Sequence, residues 1–280
     1  MRQQVQQGAI LWFDEAACCD VRQAGGKGAS LATMTAQGLP VPPGFVIPAS
    51  ILEQSVERER LLELTLAQRH AEAQALVRQA EPPRAAISAA YERLAPGNGL
   101  VAVRSSACAE DSEAASYAGQ QETYLNVRGA EEVCRRVVDC WASFFSERAI
   151  FYRARKGSLH DLGMAVVVQK MLAPEKSGVL FTVDPVNRRR DRLIIEAVFG
   201  LGEQVVSGEV TPDHYVVDRA GTIKREQIVG AQRVLEPEEI RRLTELGLHL
   251  MELFGQPQDI EWAIEHGQLY LLQSRPITTL

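Results

Sequence analysis

The sequence predicts an α+β fold in two lobes, and three features carry that prediction. The stretch from about Ser50 to Leu94 is rich in Glu, Gln, Arg, Leu and Ala, which favour helices. Beyond Gly157 the pattern changes to short apolar runs bounded by turn residues, which read as strands. Glycine and proline clusters punctuate the first half: Gly25-Gly26-Lys27-Gly28, Leu39-Pro40-Val41-Pro42-Pro43-Gly44-Phe45, Glu81-Pro82-Pro83 and Pro96-Gly97-Asn98-Gly99. A helix-rich half preceding a strand-rich half is an α+β pattern, and a cleft between lobes is where ligands commonly sit.

The elements follow in order. Ser30-Leu31-Ala32-Thr33-Met34 reads as helix after the glycines. Val101-Ala102-Val103 is a short β-prone run leading into Arg104. One long helix is predicted over Ala130 to Lys156, because Val133, Val137, Trp141, Phe144, Phe145 and Phe151 recur near helical spacing, with Gly157 as its stop. Strands are predicted at Met164–Met171, Gly178–Val183, Leu193–Val198 and His214–Val217. An amphipathic helix over Pro237–Phe254 precedes a strand pair, Ile260–Ile264 and Leu269–Gln273, with Gly267 in the turn.

Bulk properties exclude several classes. The chain has 280 residues, with 46% hydrophobic and 24% charged, the composition of a globular protein. A net charge of -6 gives no basic face for nucleic acid, and Arg188-Arg189-Arg190-Asp191-Arg192 is too short to alter that. No apolar run reaches the roughly 20 residues that span a bilayer. The N-terminus lacks the apolar core and cleavage site of a signal peptide. Five cysteines without paired CxxC spacing imply neither zinc nor disulfides. A cytoplasmic location is the expectation.

Four segments carry chemistry. In Gly25-Gly26-Lys27-Gly28-Ala29-Ser30, glycines let backbone N–H groups approach an anion and Lys27 supplies a point charge. A helix N-terminus would add a favourable dipole. The spacing is not GxxxxGK[ST], and a flexible turn is the alternative. Arg104, ending a strand beside Ser105 and Ser106, suits bidentate phosphate recognition; pairing with Glu110 or Asp111 is the alternative. Tyr117-Ala118-Gly119-Gln120-Gln121-Glu122-Thr123 offers small residues and hydroxyls that would close over a triphosphate, or else a hairpin turn. In the final strand pair, Glu261 and Gln273 can share a face. A carboxylate and an amide oxygen are the hard ligands Mg²⁺ prefers. Arg275, two residues on, points the same way and can meet a γ-phosphate.

Read together, these segments resemble the N-terminal ATP-binding domain shared by phosphoenolpyruvate synthase, pyruvate phosphate dikinase and rifampicin phosphotransferase. The shared stretches include GGKGASL, GLPVPPGF, VAVRSSA-x-AED, S-Y-AGQQETYLNV, CWASFFSERAIFYR, VVVQKM, SGVLFTVDP, IIEAVFGLGEQVVSGEVTPD, DIEWAI and LYLLQSRP, from about Phe13 to Thr278. The resemblance implies an ATP-grasp-like fold holding ATP and Mg²⁺ between two lobes. Residues 1–100 would be the helix-rich part with the GGKG phosphate loop, and residues 101–280 the mixed part with the metal and phosphate residues.

It also implies roles. Lys27 and Arg104 would hold phosphates, with Gly119 and Thr123 in the covering loop. Gln169 would lie beside the adenine, Glu261 and Gln273 would ligate Mg²⁺, and Arg275 would stabilise charge on the transferred group. Glu196 is a further candidate for the ribose or metal region. Family activity passes phosphate from ATP to a histidine on a swivelling domain and then to a small acceptor such as pyruvate or an antibiotic, leaving AMP and phosphate. That histidine sits in a T-x-H-A-A motif. His70, His160, His214, His249 and His266 lack this context, so the histidine is expected on a separate domain or protein. The alternatives are a non-catalytic nucleotide-binding regulatory module and a stand-alone ATP-grasp ligase. Cys108 and Glu113 stand where the family usually has threonine and proline, and neither removes a named ligand.

Overall fold

A computed structural model describes residues 10–108, 122–187, 189–202 and 210–278. The chain forms two compact units, Met1–Gly38 with Pro43–Met171, and Leu39–Pro42 with Leu172–Leu280. The division expected between residues 100 and 101 therefore falls inside the first unit, whose sheet takes strands from both sides of it.

The first unit runs β1 (Leu11–Trp12), a 3-10 turn (Ala16–Cys19), α1 (Val21–Ala36), β2 (Gly44–Ile47), α2 (Ala49–Ser55), α3 (Arg58–Leu66), α4 (His70–Val77), α5 (Arg84–Leu94), β3 (Leu100–Ala107), β4 (Thr123–Arg128), α6 (Ala130–Ser143), α7 (Glu147–Lys156) and β5 (Met164–Lys170). Its antiparallel sheet has the order β1-β2-β5-β3-β4. Period-two alternation sorts the side chains into two faces. Phe45, Ile47, Val101, Val103, Met164, Val166 and Val168 enter a large apolar core with residues of α2 to α7, including Trp141 and Phe145. Each such fully buried side chain contributes roughly 1.5–3 kcal/mol. The opposite face, with Val46 and Val167, lies under α1, where a Cβ on Gly28 would meet both valines at 3.0 and 3.6 Å.

The single helix predicted over residues 130–156 is two, α6 and α7, because Ser146 caps a new start. Its hydroxyl accepts from the Ala149 N–H at 3.3 Å. The break lets the adjacent Phe144 and Phe145 both be buried. Arg153 pins it from within the core, stacking on the Phe144 ring and donating to the Phe144 and Ser158 carbonyls.

The second unit contains β6 (Lys176–Phe181), β7 (Arg192–Phe199), β8 (Asp213–Asp218), β9 (Ile223–Gln227), α8 (Pro237–Phe254), β10 (Gln258–Glu265) and β11 (Gln268–Pro276). The antiparallel sheet has the order β11-β10-β6-β7-β8-β9. α8 starts with Pro237 behind a reciprocal capping box of Glu236 and Glu239, and Lys176 ties Glu239 to β6 at 2.7 Å. The helix covers the face of Leu180 and Thr182, which a Cβ on Gly247 would meet at 2.6 and 3.5 Å. Ile260, Leu180, Ile195 and Tyr215 are paired across four strands, so all four lie on that face.

Gly178 shows how closely these strands approach: a Cβ there would sit 1.8 Å from the Glu196 carbonyl oxygen and 2.9 Å from the Trp262 ring. Backbone cannot yield as a side chain does, so Gly178→Ala is expected to cost about 3 kcal/mol, the upper range for overpacking. A denaturant midpoint unchanged from the native chain would refute this packing argument.

The chain is α+β and forms two compact units, each with its own antiparallel sheet. Among the described residues no helix is long and apolar enough to cross a membrane and there is no disulfide.

Candidate functional site

In the first unit, the residues singled out from sequence share the sheet face under α1. Arg104 in β3 is opposite Thr123 of β4 and Val167 of β5, and two residues earlier Ala102 is opposite Gln169. Direct pairing and two-residue steps keep a side chain on one face, so Arg104, Thr123 and Gln169 are neighbours on it. Arg104 is 9% exposed and Gln169 3%, while Thr123 is exposed. Gly119, and the acidic alternatives Glu110 and Asp111, lie outside the described residues.

The GGKG segment is not a loop preceding a helix. Asp20 caps α1 by accepting from the Arg22 N–H at 3.0 Å, and the helix is already under way when it reaches the glycines. It breaks at Gly25 (φ 68°, ψ 174°) and resumes at once. Only glycine takes that backbone without strain, and a Cβ there would lie 2.2 Å from the Ser106 carbonyl oxygen. The half-buried Lys27 follows the break, with its ammonium donating to the Ser105 carbonyl at 3.2 Å. A cation and a renewed helix start thus stand against the end of the strand that bears Arg104.

In the second unit, β10 and β11 place Glu261 directly opposite Gln273, and Asp259 opposite Arg275. A bulge after Glu261 shifts the register, so Trp262 is paired with Leu271 and stays buried on the α8 face. The row through Glu261 continues to Val179, Glu196 and His214 on the face away from α8. His214 Nδ1 lies 3.6 Å from Glu196 Oε1.

The electrostatics here favour a bound cation. Burial pushes the Asp259 carboxyl up, Arg275 opposes this, and the negative charges of Glu261 and Glu196 add to the rise. An acid raised in the folded state stabilises the fold fully below its unfolded value, and that contribution fades as pH rises through the folded one. Once ionised, the Asp259 carboxylate meets the negative charges of Glu261 and Glu196, and positive charge relieves that repulsion. Arg275 supplies some, its Nε and its terminal nitrogen each 2.8 Å from Asp259 Oδ2.

Gln273 is 5% exposed, and its Oε1 is buried without a hydrogen-bond partner among the described residues. A buried carbonyl oxygen left unsatisfied costs about 1–3 kcal/mol. It sits opposite a carboxylate, so the donor pair fits a hard cation such as Mg²⁺ whose other ligands are phosphate and water. No cluster of three or more His, Cys, Asp or Glu among the described residues is placed to hold a metal alone.

Sequence reasoning missed two contributors. Asp259 was readable only as part of the DIEWAI stretch; its link to Arg275 depends on strand register. Ser106 reads from sequence only as a hydroxyl beside Arg104, whereas it bonds to the backbone of α1 on both sides of Gly25.

Comparison with known proteins identifies the family. The family described as pyruvate phosphate dikinase, AMP/ATP-binding domain, matches residues 21–231 and 219–280. A probable phosphoenolpyruvate synthase from Methanocaldococcus jannaschii is 41% identical over 97% of this chain and 27% of its own length. Another from Archaeoglobus fulgidus is 42% identical over 97% of this chain and 42% of its own. A rifampicin phosphotransferase from Bacillus cereus is 36% identical over 97% of this chain and 36% of its own. The chain spans less than half the length of each of these relatives. With the family model matching residues 21–231 and 219–280, the chain belongs to the pyruvate phosphate dikinase AMP/ATP-binding domain family.

Proposed function

We propose that this chain binds Mg-ATP and acts as the ATP-binding component of a dikinase-type phosphotransferase. Phosphate passes from ATP to a histidine on a separate domain or protein, then to a small-molecule acceptor such as pyruvate or an antibiotic, with AMP and phosphate released. The observation that carries the reading is the pairing of Glu261 with Gln273, whose buried Oε1 has no hydrogen-bond partner among the described residues, with Arg275 on the same strand face.

Phosphoryl transfer asks a protein chiefly for positioning and charge neutralisation. In the first unit Lys27 and Arg104 hold phosphate oxygens, Gly119 and Thr123 belong to the covering segment, and Gln169 meets the adenine edge with its amide. In the second unit Glu261 and Gln273 ligate Mg²⁺, and Arg275 stabilises the charge on the transferred group. Bound Mg²⁺ neutralises phosphate charge and orients the chain of phosphates. No nucleophilic side chain of this protein is required.

The nucleotide products test this. The 280-residue chain is incubated with Mg-ATP, with and without a histidine domain from a relative. AMP formed only with the histidine domain is the expected result. ADP formed without it but with a carboxylate substrate would instead identify a ligase. Tight binding without turnover under either condition would leave a regulatory module.

A further inference from the structure

Ser106 lies at the end of β3, completely buried. Its hydroxyl donates to the Ala24 carbonyl at 2.8 Å and accepts from the Gly28 N–H at 3.2 Å. These two backbone groups flank the break at Gly25. The hydroxyl therefore bridges the last carbonyl of the first helical turn and an amide in the first turn of the renewed helix.

The geometry has a simple physical reading. At an ordinary helix start, the residue with extended backbone supplies a side-chain oxygen to the N–H two or three positions later. Gly25 occupies that place, three residues before Gly28, and has no side chain to offer. A Cβ on Gly25 would lie 2.3 Å from Ser106 Oγ. The Ser106 hydroxyl thus occupies the space where a capping side chain would begin, and takes the bond such a side chain would take. Neighbouring contacts reinforce the same seam: Lys27 Nζ donates to the Ser105 carbonyl at 3.2 Å and Cys108 Sγ donates to the Arg22 carbonyl at 3.5 Å.

We propose that Ser106 is a positioning residue for nucleotide binding: it caps the renewed part of α1 from a neighbouring strand and so fixes where Lys27 is presented beside Arg104. The hydroxyl touches backbone, not nucleotide, and acts through Lys27. This rests on the reading of Lys27 as a phosphate ligand. The side chain of Arg104 is fixed by the same strand, two residues before Ser106, on the same face. One serine thereby couples the lysine to the arginine across a separation of 77 residues between Lys27 and Arg104.

A double-mutant cycle on the whole chain tests it, with calorimetry against Mg-ATP and against adenosine, which lacks the phosphates. Ser106→Ala is expected to weaken Mg-ATP about tenfold, the loss of a buried bonded hydroxyl, and to leave adenosine within about twofold. In a Lys27→Ala background the same change is expected to cost Mg-ATP less than about twofold, because the side chain it positions is gone. Equal loss in both backgrounds, or equal loss of ATP and adenosine, overturns the proposal and makes Ser106 a packing residue. If Lys27→Ala alone leaves Mg-ATP unchanged, the phosphate role of Lys27 fails, and the positioning claim with it. If Ser106→Ala weakens nothing while Lys27→Ala does, only the positioning claim fails. Should Ser106→Ala not fold, the nearly isosteric Ser106→Cys decides. An ATP loss of about threefold with adenosine unchanged supports the proposal, since a thiol is a weak donor and acceptor. Unchanged ATP affinity, or equal weakening of both ligands, overturns it.

Discussion

Arg275→Ala is expected to lower phosphoryl transfer by about a thousandfold or more while Mg-ATP affinity falls only about tenfold. The asymmetry follows from where the charge develops. A phosphoryl group in flight carries negative charge on its equatorial oxygens, and a guanidinium aimed there is worth more in the transition state than in the ground state. Arg275 shares its strand face with Gln273 and is directly opposite Asp259, with both bonds at 2.8 Å. That contact orients the planar fork, and the guanidinium remains 49% exposed. The measurement is single-turnover transfer to a histidine domain, beside calorimetric binding of Mg-ATP. If transfer and binding fall by the same factor, Arg275 contributes uniform binding only and its assigned role is wrong. Arg275→Lys keeps the charge but loses the fork, so it should recover binding more fully than transfer.

How much of this was legible in the sequence depends on the range over which each feature is determined. The β10–β11 hairpin is local: a two-residue turn pairs Glu265 with Gln268, and a bulge after Glu261 then moves the register by one residue, which puts Glu261 against Gln273. The amphipathic helix over Pro237–Phe254 is local too, and its predicted limits match α8. The positions of β2, β4 and β9 were not legible. Four to six residues give too little period-two signal, and in β2 the flanking prolines and Gly44 read as a turn. The break at Gly25 was hidden for another reason. Glycines near a lysine look like a loop whether or not helix continues on both sides, and what holds this break is Ser106, distant in sequence. The division at Met171 and Leu172 is likewise non-local, since Leu39–Pro42 joins the second unit, where the Pro40 carbonyl accepts from the Leu271 N–H at 2.8 Å.

The second large effect is expected at Gln273, where function and stability pull in opposite directions. A polar atom buried without a partner is unfavourable, and replacing it by an apolar group of similar shape is close to neutral or stabilising. Gln273→Met is therefore expected to leave the ligand-free stability unchanged or raised by up to about 1 kcal/mol. The same substitution removes a hard oxygen from the metal site and leaves Glu261 without the ligand opposite it, so Mg-ATP affinity should fall about a hundredfold. Linkage makes both effects visible in one unfolding experiment. At a ligand concentration about 100 times the native Kd, the native chain gains about 2.7 kcal/mol. A variant that binds a hundredfold more weakly gains only about 0.4 kcal/mol at that concentration. Repeating the measurement with ATP and a chelator isolates the metal: without Mg²⁺ the two proteins should gain nearly the same stabilisation. A variant that is markedly less stable without ligand, yet keeps the full Mg-ATP gain, would show that Gln273 serves packing and that the Glu261 face binds no metal through it. A large loss of ligand stabilisation with no loss of intrinsic stability is the signature of a side chain retained for what it binds, and that is the result expected of a buried oxygen with no partner among the described residues.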